Sequence, residues 1–384
     1  MIGSIYMNGF KSLIKFRMWL SEFNCLIGLN GAGKSTILQA FDFISSIHQG
    51  GVNSWLESRK WRMTDLSFHG ARKQIIVMQL GFKINGNTYH WSANFNKARS
   101  ACTYEEIGSL SDARSLFTLE DGRYRIGDSD FKPADFIYEG SILSSLKKDV
   151  LGEELSEIHN YLKNIRSMDL LSPHLIRQKS RASKVSDIGL GGEKLSAFLH
   201  KLTPAEKDDL VERLQTFNPL VQGIHTTKIR GGLVKIEVSE GVQNETSVAT
   251  EARHLNDGLI RLLAINAQRY SDNTFILYDE IENGVNPEVT QSLLKALLES
   301  PKQTLVTTHS PVVLNYLPED LARKSVTLIY KRADGITRAI KLFDIPMIEK
   351  KLEFLAPGEA VIDLPHSALA EEAEAILQEL ETKE

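Results

Sequence analysis

Eight consecutive residues constrain this chain more than any others: Gly28-Leu29-Asn30-Gly31-Ala32-Gly33-Lys34-Ser35. They follow the pattern G-x-x-x-x-G-K-S/T. The apolar run Phe23-Asn24-Cys25-Leu26-Ile27 precedes them and reads as a buried strand. From Ser35 to Ile47, the residues Ile37, Leu38, Phe41, Ile44 and Ile47 fall on one helical face. Strand, glycine turn and helix in that order build an anion site. Glycines let the backbone approach phosphate oxygens closely, and successive N–H groups converge at a helix N-terminus whose dipole adds to the attraction. In that frame Asn30, Gly31, Ala32, Gly33 and Thr36 line the cradle. Lys34 sets a point charge on the β and γ phosphates, and the Ser35 hydroxyl ligates Mg2+. A tight strand-to-helix turn with an incidental Lys and Ser is the bland alternative, and the flanking pattern argues against it.

Further along, Thr274-Phe275-Ile276-Leu277-Tyr278 is an apolar strand that ends in Asp279-Glu280. Adjacent carboxylates at the mouth of a buried strand are costly unless they have a task. With a phosphate loop in the chain, Asp279 is expected in the magnesium shell and Glu280 as the general base that polarises the attacking water. A second strand, ending Val306-Thr307-Thr308-His309-Ser310, puts a histidine 29 residues beyond Glu280. There it is suited to hydrogen-bond the terminal phosphate and the water. Leu255-Asn256-Asp257-Gly258 opens a helix carrying Ile260, Leu262, Leu263 and Ile265. An ordinary N-cap and a terminal-phosphate sensor share this geometry, and the local sequence does not separate them.

Length and composition bound the rest. The 384 residues allow one large domain or two to three small ones. With 42% hydrophobic and 24% charged residues the chain is globular rather than disordered. A net charge of -4 excludes a bulk-charge nucleic-acid coat, so any such contact needs a local patch. Cys25 and Cys102 are too few for a disulfide framework or a four-thiolate zinc site. No uncharged apolar stretch is long enough to span a membrane, and Lys11, Lys15 and Arg17 interrupt any signal-peptide core. A cytoplasmic protein without membrane contact is the expectation.

The expected organisation has four parts. Residues 1–96 form a nucleotide-binding lobe with the phosphate loop and a β-hairpin at Asn85-Gly86. Residues 97–223 form a helical and loop insertion, with 97–130 read as loops and short elements, Phe136-Ile137-Tyr138 as a buried strand and Thr203-Pro204-Ala205-Glu206 as a helix start. Residues 224–345 form a C-terminal lobe with the Asn256 helix, the acidic strand and His309. Residues 346–384 form an extension with an acidic amphipathic helix striped by Leu369, Ala373, Ile376, Leu377 and Leu380. Strand–helix alternation after residue 255 argues for a parallel sheet covered by helices.

The order of these motifs resembles the heads of ABC-type ATPases. Gly258 lies 21 residues before Asp279, the spacing of that family's signature helix and Walker B strand. GLNGAGKS with Asn30, and the opening Gly9-Phe10-Lys11-Ser12, are similar to the SMC and RecF branch, whose basic residue at that opening contacts nucleotide. Tyr278 to Pro287 looks like the DEPENGLHP run of stand-alone AAA-annotated ATPases, including those of OLD-type nucleases and anti-phage systems such as PARIS. Ile188-Gly189-Leu190-Gly191-Gly192 and Phe217-Asn218-Pro219 fall where that group has similar segments. Asn256 stands where the signature has Ser, Ile281 where the run has Pro, and Asn286 where it has His. No Q-loop is assignable, although Glu139 sits where a Gln is expected.

The resemblance implies a P-loop NTPase of α/β class, with a mixed central sheet, an N-terminal antiparallel β subdomain and a helical insertion. It implies ATP and Mg2+ as ligands. It also implies a homodimer, or a higher homo-oligomer, in which each phosphate loop faces the other chain's Asn256-Asp257-Gly258. ATP closes that pair and hydrolysis opens it. Its task is then control of a nucleic-acid-related, nuclease or effector partner in anti-phage defence or DNA maintenance. The alternative is a homo-oligomeric scaffold that sequesters and releases a protein effector without binding DNA. Basic clusters at Arg59, Lys60, Trp61, Arg62 and at Lys163, Arg166, His174, Arg177, Lys179, Arg181, Lys184 are the candidate DNA patches, or plain solvated surface. A complete nuclease ranks last, because no D-x-D follows Ser310 and Asp128-Ser129-Asp130 reads as a turn.

Overall fold

Asn85-Gly86 joins two ten-residue strands, Ile75–Ile84 and Asn87–Asn96, with φ of 49° and 87° at the turn. This is the mirror-image turn whose twist matches its strands. Ile76, Met78, Leu80 and Phe82 point inward opposite Phe95, Ala93, Trp91 and Tyr89. The computed structural model describes residues 1–68, 74–168, 172–182, 185–242, 246–362 and 364–381. In it the hairpin is the middle of an eight-stranded antiparallel sheet. The order is Phe16–Trp19, Ile2–Asn8, the two hairpin strands, Ala101–Ser109, Arg114–Glu120, Arg123–Ile126 and Lys132–Pro133.

Most of residues 97–130 therefore form three strands, Ala101–Ser109, Arg114–Glu120 and Arg123–Ile126, where loops and short elements were expected. Two features hide their alternation. Glu105 is one of the inward residues, and bulges at Asn94/Phe95 and Ile107/Gly108 shift the period. Phe136-Ile137-Tyr138 is corrected in the other direction. Phe136 and Ile137 are exposed in an irregular segment, held to the sheet by the Tyr138 hydroxyl donating to the Cys102 carbonyl at 2.7 Å.

The chain divides into two compact units, residues 1–165 with 318–384, and residues 166–317. In the first, the helix Lys34–Gln49 follows the phosphate loop and is buried almost all round, not on one face. Ala40, Phe43, Ser45, Ser46 and His48 join the predicted apolar set. Phe43 stacks on Phe10 at 5.3 Å and meets Phe95 edge-on at 5.1 Å, which seats the helix on the sheet. The fully buried strand Phe23–Ile27 pairs in parallel with Val326–Lys331, which pairs antiparallel with Thr337–Lys341. The helix His366–Glu381 buries Leu369 and Ala373 in its own unit, and the Tyr330 hydroxyl reaches Glu374 at 2.9 Å.

In the second unit, Ser180–Arg181, Leu233–Val242, Val221–Lys228 and Thr246–Glu251 make a four-stranded antiparallel sheet. Helix Pro204–Gln215 starts at the predicted cap, with the Thr203 backbone N–H donating to Glu206 at 2.7 Å. Phe275–Tyr278 and Gln303–Thr308 are parallel, with Tyr278 beside Val306, and helix Pro287–Leu298 connects them. That register brings the acidic pair and His309 to the same strand ends.

Candidate active site

The phosphate loop is shaped by backbone. A side chain at Gly28 would lie 2.1 Å from the Ile329 carbonyl, and one at Gly33, where φ is 113°, would lie 2.3 Å from the Thr337 hydroxyl. Gly33 also precedes the helix Lys34–Gln49 with no side-chain cap and no acidic residue in the first turn. The helix therefore starts with N–H groups that no capping side chain serves, the condition for anion binding. Leu29, Asn30 and Gly31 form an exposed rim, and Ser35 is exposed at the first turn. Lys34 is folded inward, donating to the carbonyls of Gly28 at 2.6 Å and Leu29 at 3.1 Å.

Lys11 and Ser12 lie beside this loop in the same unit. Ser12 braces it: its hydroxyl pairs with that of Thr337 at 2.7 Å, and Thr337 donates to the Ala32 carbonyl at 3.0 Å. Lys11 occupies the left-handed region, with φ of 45°. Its ammonium donates to Gln39 at 2.9 Å and stands 3.4 Å from the centre of the Trp61 ring. Burial lowers its pKa to about 8, with Arg59 adding to the shift and Asp65 opposing it.

In the second unit, side chains do the shaping. The Thr307 hydroxyl donates to Asp279 at 2.5 Å and accepts from the backbone N–H of Glu280 at 2.8 Å. Glu280 sits at φ of 48°, an uncommon conformation for a residue with a side chain. Its carboxylate accepts from the Asn283 amide at 3.1 Å, and Arg261 donates to the Asn283 carbonyl at 2.7 Å. Thr308 and His309 do not turn to the acidic pair. Both bond Glu282, two residues on. Asn256 is the N-cap of helix Asp257–Ala267, with its side-chain oxygen accepting from the Leu259 N–H at 2.7 Å, which leaves its NH2 to donate elsewhere. Asp257 accepts from Arg177 at 2.5 Å. Gly258 must be small because an added Cβ would come within 2.7 Å of Val289.

Residues 23–315 match the family described as "AAA domain, putative AbiEii toxin, Type IV TA system". The chain belongs to that AAA-domain family. Among solved structures, it is similar to an SMC head bound to the C-winged helix domain of ScpA. The TM-score is 0.55 at 18% identity, over 88% of this chain and 96% of that one. It is also similar to an SMC head from Pyrococcus furiosus with an extended coiled coil, bound to the C-terminal domain of ScpA. There the TM-score is 0.51 at 15% identity, over 92% and 99%. At such identities the likeness establishes the fold alone, that of the SMC head domains. A comparison with curated protein sequences finds no match. Among the described residues, no helix is long and apolar enough to cross a membrane.

Four cations of the basic clusters of this AAA-domain chain are paired internally. Arg166 bonds Asp187 at 3.2 Å, Arg177 bonds Asp257, and Lys179 bonds Glu251 at 2.9 Å. Arg59 bonds Asp42 and lies 4.5 Å from the Trp55 ring centre. Lys184 lies outside the described residues. Glu139 accepts from the Asn53 N–H at the start of helix Val52–Ser58. Sequence reasoning assigned no role to Thr307, Thr308, Glu282 or Arg261, and set Trp61 only in a basic cluster, not beside Lys11. For the threonines no local signal exists, because a strand that also carries Gln303 and Thr304 does not single them out.

Proposed function

We propose that this chain is an ATP-binding, ATP-hydrolysing switch that dimerises around two nucleotides and controls a protein effector. The observation that carries the proposal is the uncapped helix start behind Asn30-Gly31-Ala32-Gly33, with Lys34 held ready inside the loop. On ATP binding Lys34 exchanges its two carbonyl partners for phosphate oxygens, a stronger charge-assisted contact. Among the described residues no cluster of three His, Cys, Asp or Glu side chains could hold a metal alone. By the resemblance to ABC-type ATPase heads, a magnesium ion would arrive with the phosphates. Ser35 and Asp279 would hold it, and it would neutralise charge on the transferring phosphoryl group. Glu280 orients and deprotonates the attacking water, and His309 contacts that water and the terminal phosphate. Asn256, Asp257 and Gly258 serve the partner copy's nucleotide through the helix N-terminus and the Asn256 NH2.

Support for a protein effector comes from two sides. The family's description names a toxin–antitoxin system, and the similar SMC heads were solved with a ScpA domain bound. Internal pairing of Arg166, Arg177 and Lys179 favours effector control over a grip on DNA by that cluster. A role in bacterial defence, carried out in the cytoplasm, is the biological setting we propose. Two assays test the reading. Purified protein should hydrolyse ATP with a magnesium requirement, and affinity capture of tagged Glu280→Gln with ATP should retain one stoichiometric protein that Lys34→Ala does not. Absence of ATP turnover, or DNA binding lost on charge reversal of Arg177, Lys179 and Arg181, would contradict it.

A further inference from the structure

Glu282 takes no part in the chemistry above, yet it is the carboxylate of this strand end with the most hydrogen bonds. One oxygen accepts from the Thr308 hydroxyl at 2.8 Å and the His309 backbone N–H at 2.9 Å, and lies 3.0 Å from His309 Nδ1. The Glu282 side chain is 12% exposed and the His309 ring 46%, so the pair is anchored at its acid end and open at its imidazole end. The other Glu282 oxygen is buried with no hydrogen-bond partner among the described residues. An ionised carboxylate can only accept. The Nδ1 that faces it must therefore carry the hydrogen, whether the ring is neutral or charged. In the neutral ring Nε2 is then a bare acceptor for water. In the charged ring it is a donor for phosphate, with Glu282 as the counter-charge.

We infer that Glu282 is the positioning residue for His309: it fixes the ring's plane and tautomer and reserves Nε2 for the reacting water and the terminal phosphate. This rests on the ATPase reading above. Thr308 and the His309 backbone hold the carboxylate from two further directions, so the ring follows the acid and not the reverse. The group is local to one unit, built from residues 282 and 308–309 across two paired strand ends.

The test reads the ring directly. Protein labelled with 15N-histidine, in which His309 is assigned by loss of its signal in His309→Ala, is observed without nucleotide near pH 8. The wild type should show the Nδ1–H tautomer at His309. Glu282→Ala should shift it to Nε2–H and lower kcat by about tenfold to a hundredfold, with ATP affinity within about twofold. Glu282→Gln, whose carbonyl accepts the same bonds, should keep the tautomer and recover most of the rate. An Nε2–H tautomer in the wild type would overturn the inference, as would unchanged tautomer or kcat in Glu282→Ala. Because the tautomer is read without ATP, a wild type that fails to hydrolyse ATP would sink the proposed function and not the positioning of His309.

Discussion

The loop Gly28–Ser35 and the strand ends at residues 279–282 and 307–309 are built on opposite principles. The first is backbone: glycines that admit Ile329 and Thr337, bare N–H groups, and a lysine parked on two carbonyls. The second is side chain: two threonines, a strained glutamate and an asparagine hold three carboxylates by hydrogen bonds. A ligand can displace the contacts of the first if it offers Lys34 charged oxygens in place of the two carbonyls. The second resists displacement at its threonines, because a bond lost by buried Thr307 or Thr308 leaves its hydroxyl unserved. On the proposed function, binding would fall to the adaptable region and bond breaking to the rigid one.

Substitutions should separate the two. Lys34→Ala should weaken ATP binding by more than about a hundredfold while leaving the melting temperature nearly unchanged, as read by calorimetric titration and thermal unfolding. Glu280→Gln should reverse the pattern, with hydrolysis down on the order of a hundredfold to ten-thousandfold and binding intact in a phosphate-release assay. If both variants lose binding equally, the division fails. Thr307→Val removes the hydroxyl that Asp279 and Glu280 share, and should cost about 1–3 kcal/mol in denaturant unfolding along with a fall in kcat. An equal substitution at exposed Ser35 should leave stability alone and raise the magnesium requirement.

The smallest effect concerns Lys11, which burial holds to a pKa of about 8. Its charge is complete below that value and lost above it. ATP affinity should then fall by about fivefold across the transition, and the fall should vanish in Lys11→Arg, which stays charged. The unliganded protein should respond with the opposite sign. Because the folded pKa is the lower one, the unfolded chain binds more protons above pH 8, so stability rises there.

The same contrast explains what the sequence made legible. A backbone-built loop requires glycines at fixed spacing, so Gly28–Ser35 announces itself, as does the Asn85-Gly86 turn. Asp279 and Glu280 stand out in the sequence because they close an apolar strand, and His309 because it follows a second strand 29 residues beyond Glu280. The braces do not. Thr307 and Thr308 are ordinary strand residues until the parallel register sets them beside the acidic run, and Glu282 gains its partner only across that register. Residues 97–130 failed for a related reason. An inward Glu105, held by Trp91 at 2.9 Å and Ser141 at 2.7 Å, breaks the alternation that would have marked a strand. Asn256 stays ambiguous in sequence because capping and phosphate sensing use one geometry, and its cap is now seen.

The central claim is that ATP joins two copies of this chain. Light scattering on the Glu280→Gln protein at micromolar concentration, with and without ATP and magnesium, addresses it directly. The account predicts twice the monomer mass with ATP and monomer mass without it. A protein that binds ATP and keeps the monomer mass would contradict it.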